Sequence, residues 1–169
     1  GPDTVRIAAS MAIQRGSSRN CDSVVDSRSV RSKCQRGAVM PWPLIDSASP
    51  NLSAFKARGG KLIQFHGWND PAIPAKSSIL YYEDVGRTMG DTSGFYRMYL
   101  VPGMLHCAGG AGPNTVDWLA HLDKWVTAKE APGPLTATSV ANGSQLLCPY
   151  PGVAKADGKG GYSCPAKTK

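Results

Sequence analysis

Histidine is scarce in this chain: His66, His106 and His121 are the three among 169 residues. No C-x-x-C pair and no Cys/His cluster with metal-ligand spacing occurs, so the five cysteines do not read as a zinc site, and neither a metal nor a cofactor is expected. No apolar run approaches the roughly 20 residues of a membrane helix, and the N-terminus lacks the continuous apolar core of a signal peptide. A soluble chain, already processed if it was exported, is the expectation. The net charge of +7 has no basic stripe interleaved with aromatics behind it. Its excess is spread along the chain, with a modest Arg enrichment before Gln35 and lysines in the tail, which argues against a nucleic-acid partner.

What is present suits one globular domain, since 41% hydrophobic content over this length supplies a core. With metal binding set aside, the cysteines read as disulfide formers, and disulfides imply an oxidising, secreted or periplasmic location. Cys148 and Cys164 enclose a Pro/Gly/Lys-rich segment with little else to hold it, and are expected to pair. Cys21, Cys34 and Cys107 are then an odd number, so at least one is free, intermolecular, or paired outside this chain.

Residues 1–40 are rich in Ser and Arg, poor in aromatics, and follow neither a helical nor a strand period for long; they read as weakly structured, with one short helix or strand over Val5 to Ile13. Gly1-Pro2 resembles a cleavage scar. Residues 41–169 carry the organised part. Met40 to Pro50, with three prolines and Trp42, reads as an extended connector. Asn51 caps a short helix, Leu52 to Arg58, which Gly59-Gly60 ends. Lys61 to Phe65 reads as a buried strand, and Ser77 to Met89 as a helix with Ile79, Tyr82, Val85 and Met89 on one face. A second strand runs from Phe95 to Val101, and a helix from Thr115 to about Lys129 with an apolar stripe of Trp118, Leu119, Leu122, Trp125 and Val126.

Strand, loop, helix, repeated, predicts parallel strands and an α/β fold. Ligands of such sheets gather at the carboxyl ends of the strands. Here one strand end leads to Asp70, in His66-Gly67-Trp68-Asn69-Asp70-Pro71. The other, through Pro102-Gly103, delivers His106 into a glycine-rich loop. A carboxylate on a neighbouring loop can fix the tautomer of an imidazole and stabilise its protonated form, which is two thirds of a hydrolase triad. The order Asp then His matches that of α/β-hydrolases, where a serine comes first. The simpler roles are a turn-forming Asn-Asp-Pro for Asp70 and an ordinary loop position for His106. Trp68 reads as a packing residue beside the acid loop, although an aromatic there can stack on a phenolic ring. His66 and His121 read as a strand-end and a surface helical histidine. Asn51-Leu52-Ser53 and Asn142-Gly143-Ser144 match the glycosylation sequon.

The segments GGKLIQFHGWNDPAIP and FYRMYLVPGMLHCAGGAGPN resemble the C-terminal part of the tannase and feruloyl esterase family, from about Asn51 to Cys164. The resemblance rests on HGW-x-D around Asp70, PGM-x-HC around His106, and LCPYP followed by a late cysteine. It implies the last β-α-β-α units of an α/β-hydrolase fold. It also implies an ester hydrolase acting on small aromatic substrates such as gallate, ferulate or terephthalate esters, with Asp70 as triad acid and His106 as base. In that family the cysteine after the catalytic histidine bonds the one before the catalytic serine. Cys107 matches the former, with Cys21 and Cys34 as candidate partners.

The sequence departs from the family pattern before Pro41. No G-x-S-x-G elbow occurs, and no oxyanion donors or lid domain, which in relatives supplies the substrate pocket and often binds calcium, are recognisable. Cys21-Asp22-Ser23 is the nearest relic, and Ser17, Ser18 and Ser23 are the candidate nucleophiles. Residues 1–40 do not resemble the family. The alternative function is a truncated, non-catalytic fragment acting as a structural or interaction domain. Two parallel strands with an exposed edge also predict self-association.

Overall fold

The computed structural model describes residues 48–165, together with the backbone of residues 21–26 and 29–34. In chain order the elements are β1 (Cys21–Asp26), β2 (Ser29–Cys34), α1 (Ser53–Ala57), β3 (Leu62–Gly67), α2 (Ala75–Met89), β4 (Tyr96–Val101), α3 (Trp118–Thr127), β5 (Leu135–Ser139), β6 (Gly143–Leu147), β7 (Lys155–Ala156) and β8 (Tyr162–Ser163). The β1–β2 pair is an antiparallel hairpin with Cys21 opposite Cys34. This corrects the expectation of a weakly structured segment at those residues, where Val24, Val25 and Val30 supply β-branched side chains suited to strands. Val5 to Ile13 lies outside the described residues.

The centre of the molecule is the parallel pair β3–β4, with Leu62 opposite Tyr96 and Gly67 opposite Val101. Both strands lie within a residue or two of their expected bounds, and α2 runs between them as the crossover. Side chains of a strand alternate between faces, and here the alternation sorts the core into two clusters. Ile63 and Phe65 of β3 and Tyr99 and Val101 of β4 join Leu122 and Trp125 of α3, Leu135 and Ala137 of β5, and Leu147 of β6. Leu62 of β3 and Tyr96 of β4 face the other way, toward Val85, Tyr82 and Met89 of α2 and Phe55 of α1. Helices therefore cover both faces, and each fully buried large side chain contributes about 2 kcal/mol. Phe65 stacks on Trp118 with ring centroids 4.5 Å apart.

Residues 130–147 carry no expected element from the sequence. There β5 and β6 form an antiparallel hairpin, and Gly143 takes a positive φ of 71° at its turn. The signal was present: Leu135 and Ala137 alternate with Thr136 and Thr138, and Asn142-Gly143 is a hairpin-turn dipeptide. Cys148 and Cys164 are disulfide-bonded as expected, closing the loop that carries the short β7–β8 pair. Tyr150 ties this loop to α2 by donating to Glu83 Oε1 at 2.7 Å. Among the described residues no third strand joins β3 and β4.

Candidate active site

Asp70 lies three residues beyond the end of β3, and its two carboxylate oxygens have separate duties. Oδ1 accepts the backbone N–H groups of Ala72 and Ile73, both at 2.9 Å, which shapes the turn into α2. Oδ2 accepts His106 Nδ1–H at 2.6 Å and is also 3.2 Å from His66 Nε2. Asp70 therefore shapes a turn and binds an imidazole at once. Burial of the carboxylate pulls its pKa upward, but the N–H of Ile73, the imidazole of His106 and the N–H of Ala72 outweigh it. The group stays well below its ordinary 3.8 and remains ionised at neutral pH.

His106 reaches Asp70 because the loop after β4 folds back across the end of β3. Trp68 N–H donates to Val101 O and Asn69 N–H to Met104 O, each at 3.0 Å, which stitches the two loops together. Gly67 makes the approach possible. A Cβ there would lie within contact distance of the Leu105 and Met104 carbonyls, closer than side-chain carbons ever come to backbone. Gly103, with φ 75°, provides the left-handed turn into the histidine loop. The His106 ring is 46% exposed while the Asp70 side chain is fully buried. An ionised carboxylate is acceptor-only, so the hydrogen bond places the proton of neutral His106 on Nδ1 and leaves Nε2 with a lone pair. That lone pair opens toward solvent, where it can accept a proton.

His66 is more than the strand-end residue its position suggested. Its side chain is fully buried against Asp70, with Nδ1 2.7 Å from Ser78 Oγ. Single-sequence reasoning missed it, together with Gln64 and Ser78. Two polar residues spaced by two on one face of a buried strand were the available signal, because such groups need partners. Trp68 is 54% exposed, which corrects the packing role expected of it. It borders an open cavity of about 920 Å³ between α2, the end of β4, β6 and the C-terminal loop, whose other walls include Ile79, Leu100, Tyr150 and Val153. Cys107 is exposed with a free thiol. The side chains of Cys21 and Cys34, its candidate partners, lie outside the described residues, as do Ser17 and Ser18. Ser23 falls within β1, part of a hairpin rather than a strand-to-helix elbow.

An acid and a histidine at the carboxyl ends of adjacent parallel strands, with helices on both faces, is the arrangement of α/β-hydrolases. Solved structures agree: feruloyl esterase B from Aspergillus oryzae superposes with a TM-score of 0.64 at 26% identity, over 69% of this chain and 29% of that one. The family model described as tannase and feruloyl esterase matches residues 9–168, and the chain belongs to that family. The match begins well before Asn51 and covers most of residues 1–40, which corrects the expectation that they do not resemble the family. Mono(2-hydroxyethyl) terephthalate hydrolase of Piscinibacter sakaiensis is 43% identical over 121 residues, 68% of this chain and 20% of that protein. A tannase of Aspergillus oryzae is 31% identical over 145 residues, 76% of this chain and 25% of that protein. The chain thus spans about a fifth to a quarter of the length of these two relatives.

Proposed function

We propose that the chain belongs to a carboxylic ester hydrolase for small aromatic esters of the hydroxycinnamoyl, galloyl or terephthaloyl type, with Asp70 as acid and His106 as base. The observation that carries the proposal is the 2.6 Å hydrogen bond from His106 Nδ1 to Asp70 Oδ2. The relatives are named for feruloyl, tannin and terephthalate esters, which supports the aromatic acyl class. In the reaction His106 Nε2 takes the proton of a serine hydroxyl as its oxygen attacks the ester carbonyl, then gives that proton to the departing alcohol oxygen. Water attacks the acyl-enzyme with His106 again as base, releasing the acid and regenerating the serine. Asp70 stays ionised throughout and stabilises the imidazolium. Trp68, exposed beside the acid loop, offers a face on which an aromatic acyl group can stack. The Cys148–Cys164 bond supports a secreted or periplasmic setting.

The test is hydrolysis of a chromogenic feruloyl or terephthaloyl ester by the wild type, His106→Ala and Asp70→Asn. The substitutions are expected to lower kcat by about 10³-fold or more; unchanged rates in both variants would overturn the assignment. A fluorophosphonate label followed by peptide mapping identifies the serine, with Ser17, Ser18 and Ser23 as candidates. Absence of both label and turnover would favour a non-catalytic scaffold.

A further inference from the structure

A chain of buried polar groups runs behind the Asp70–His106 pair. Tyr96 hydroxyl donates to Gln64 Oε1, Gln64 Nε2 donates to Ser78 Oγ at 3.1 Å, and Ser78 Oγ lies 2.7 Å from His66 Nδ1. His66 Nε2 then faces Asp70 Oδ2 at 3.2 Å and the Ile73 carbonyl at 3.0 Å. Tyr96, Ser78 and His66 are at most 2% exposed and Gln64 is 7% exposed, so water does not substitute freely for any link. These residues come from β3, α2 and β4, and the face that carries them is otherwise apolar.

The proton positions follow from the ends of the chain. Asp70 Oδ2 and Ile73 O can only accept, so His66 Nε2 must carry a proton. With neutral His66, Nδ1 accepts from the Ser78 hydroxyl, whose oxygen accepts from the Gln64 amide, whose carbonyl accepts from Tyr96. Each link from Tyr96 to His66 then has one donor and one acceptor, and the His66 Nε2–H is shared between Asp70 Oδ2 and the Ile73 carbonyl. The reversed sequence would require His66 to be an imidazolium with both nitrogens protonated, a buried cation in place of a neutral ring.

We infer that His66 is a positioning residue for the acid of the site: its Nε2–H holds the same Asp70 oxygen that binds His106, and the Tyr96–Gln64–Ser78 relay fixes its tautomer. One carboxylate oxygen thereby imposes opposite tautomers on two histidines, Nε2–H on His66 and Nδ1–H on His106. Oδ1 is anchored by backbone and Oδ2 by His66, so the carboxylate cannot swing when His106 moves or changes charge. The effect on catalysis rests on the acid and base roles proposed above; the tautomer assignment does not.

The experiment is long-range ¹H–¹⁵N correlation of the imidazoles in the full chain at about pH 8, above the ordinary histidine range. Only three histidines have to be assigned, and His66→Phe and His121→Asn identify the signals. Wild-type His66 is expected to show a protonated Nε2 and an unprotonated Nδ1, with His106 showing the reverse. Ser78→Ala should change the His66 pattern and move the His106 Nδ1–H signal. In ester hydrolysis, His66→Phe should lower kcat by about 100-fold, the scale of a small misplacement of a reacting group, with KM within about twofold. His66→Gln, whose amide can donate to Asp70 and accept from Ser78, should recover part of that loss. A proton on His66 Nδ1, alone or with one on Nε2, overturns the relay in the wild type itself. A folded His66→Phe with unchanged kcat and unchanged His106 signal overturns the positioning role. If His106→Ala leaves hydrolysis unchanged, the base assignment fails while the tautomer result stands on its own spectrum.

Discussion

Asp70 serves two structures with one carboxylate, and this decides its response to acid. Its folded pKa lies below the ordinary 3.8 because the Ile73 and Ala72 N–H groups and His106 prefer the charged form over the opposing effect of burial. A carboxyl depressed in this way adds stability that is fully present above its unfolded value and is lost as pH falls through the folded one. Thermal melts between about pH 4 and pH 2 should therefore show a shallower acid limb for Asp70→Asn than for the wild type. Equal slopes would mean that Asp70 is no better held in the folded protein than in the unfolded chain. At this scale the sequence was informative about identity and poor about contacts. His106 and Asp70 were legible because each follows an apolar run ending in turn residues. The partnership of His66 with Asp70 and Ser78 was not, because Ser78 reaches it from a helix twelve residues on.

The elements matter through the two loops that leave β3 and β4. Gly67 ends β3 where the backbone of Met104 and Leu105 crosses it, so the histidine loop can lie close only if no side chain intervenes. Gly67→Ala should cost about 1–3 kcal/mol, the usual penalty of forced overpacking. It should also weaken hydrolysis by moving His106 away from Asp70. Denaturant melts and kcat of the same preparation check both effects, and a variant as stable and active as the wild type would show that the loops have room to spare. Both parallel strands and their helices were readable from apolar runs, helical spacing and glycine stops. α3 contains its whole apolar stripe but is shorter than the expected Thr115 to Lys129: Asp117 accepts the Ala120 N–H and starts the helix at Trp118. Thr115 instead bonds across to Thr138, so strand-like pairing holds the first of the three residues, Thr115 to Asp117, that precede the helix.

At the scale of the whole molecule, the C-terminal loop is held by its ends. It is closed by a bond spanning 16 residues and rests on α2 through Tyr150 and Glu83. Replacing Cys148 and Cys164 by serine should lower stability by about 3 kcal/mol in the chain-entropy account. Reductant should reproduce the loss in the wild type and leave the double variant unchanged; a double variant that melts with the wild type would show the loop secured by its other contacts. The sequence by itself determined the α/β class, the parallel pair, this disulfide and the two residues of the candidate site. All of these are written in local spacing and composition, which residue chemistry fixes before any long-range contact forms. Tertiary structure alone decided that Oδ2 of Asp70 is shared by two histidines, that Gly67 clears the path for His106, and that Gln64, Ser78 and Tyr96 form a relay behind them. Those facts depend on which side chains from separate elements meet on one buried face, and strand register and helix docking set that in space rather than along the chain.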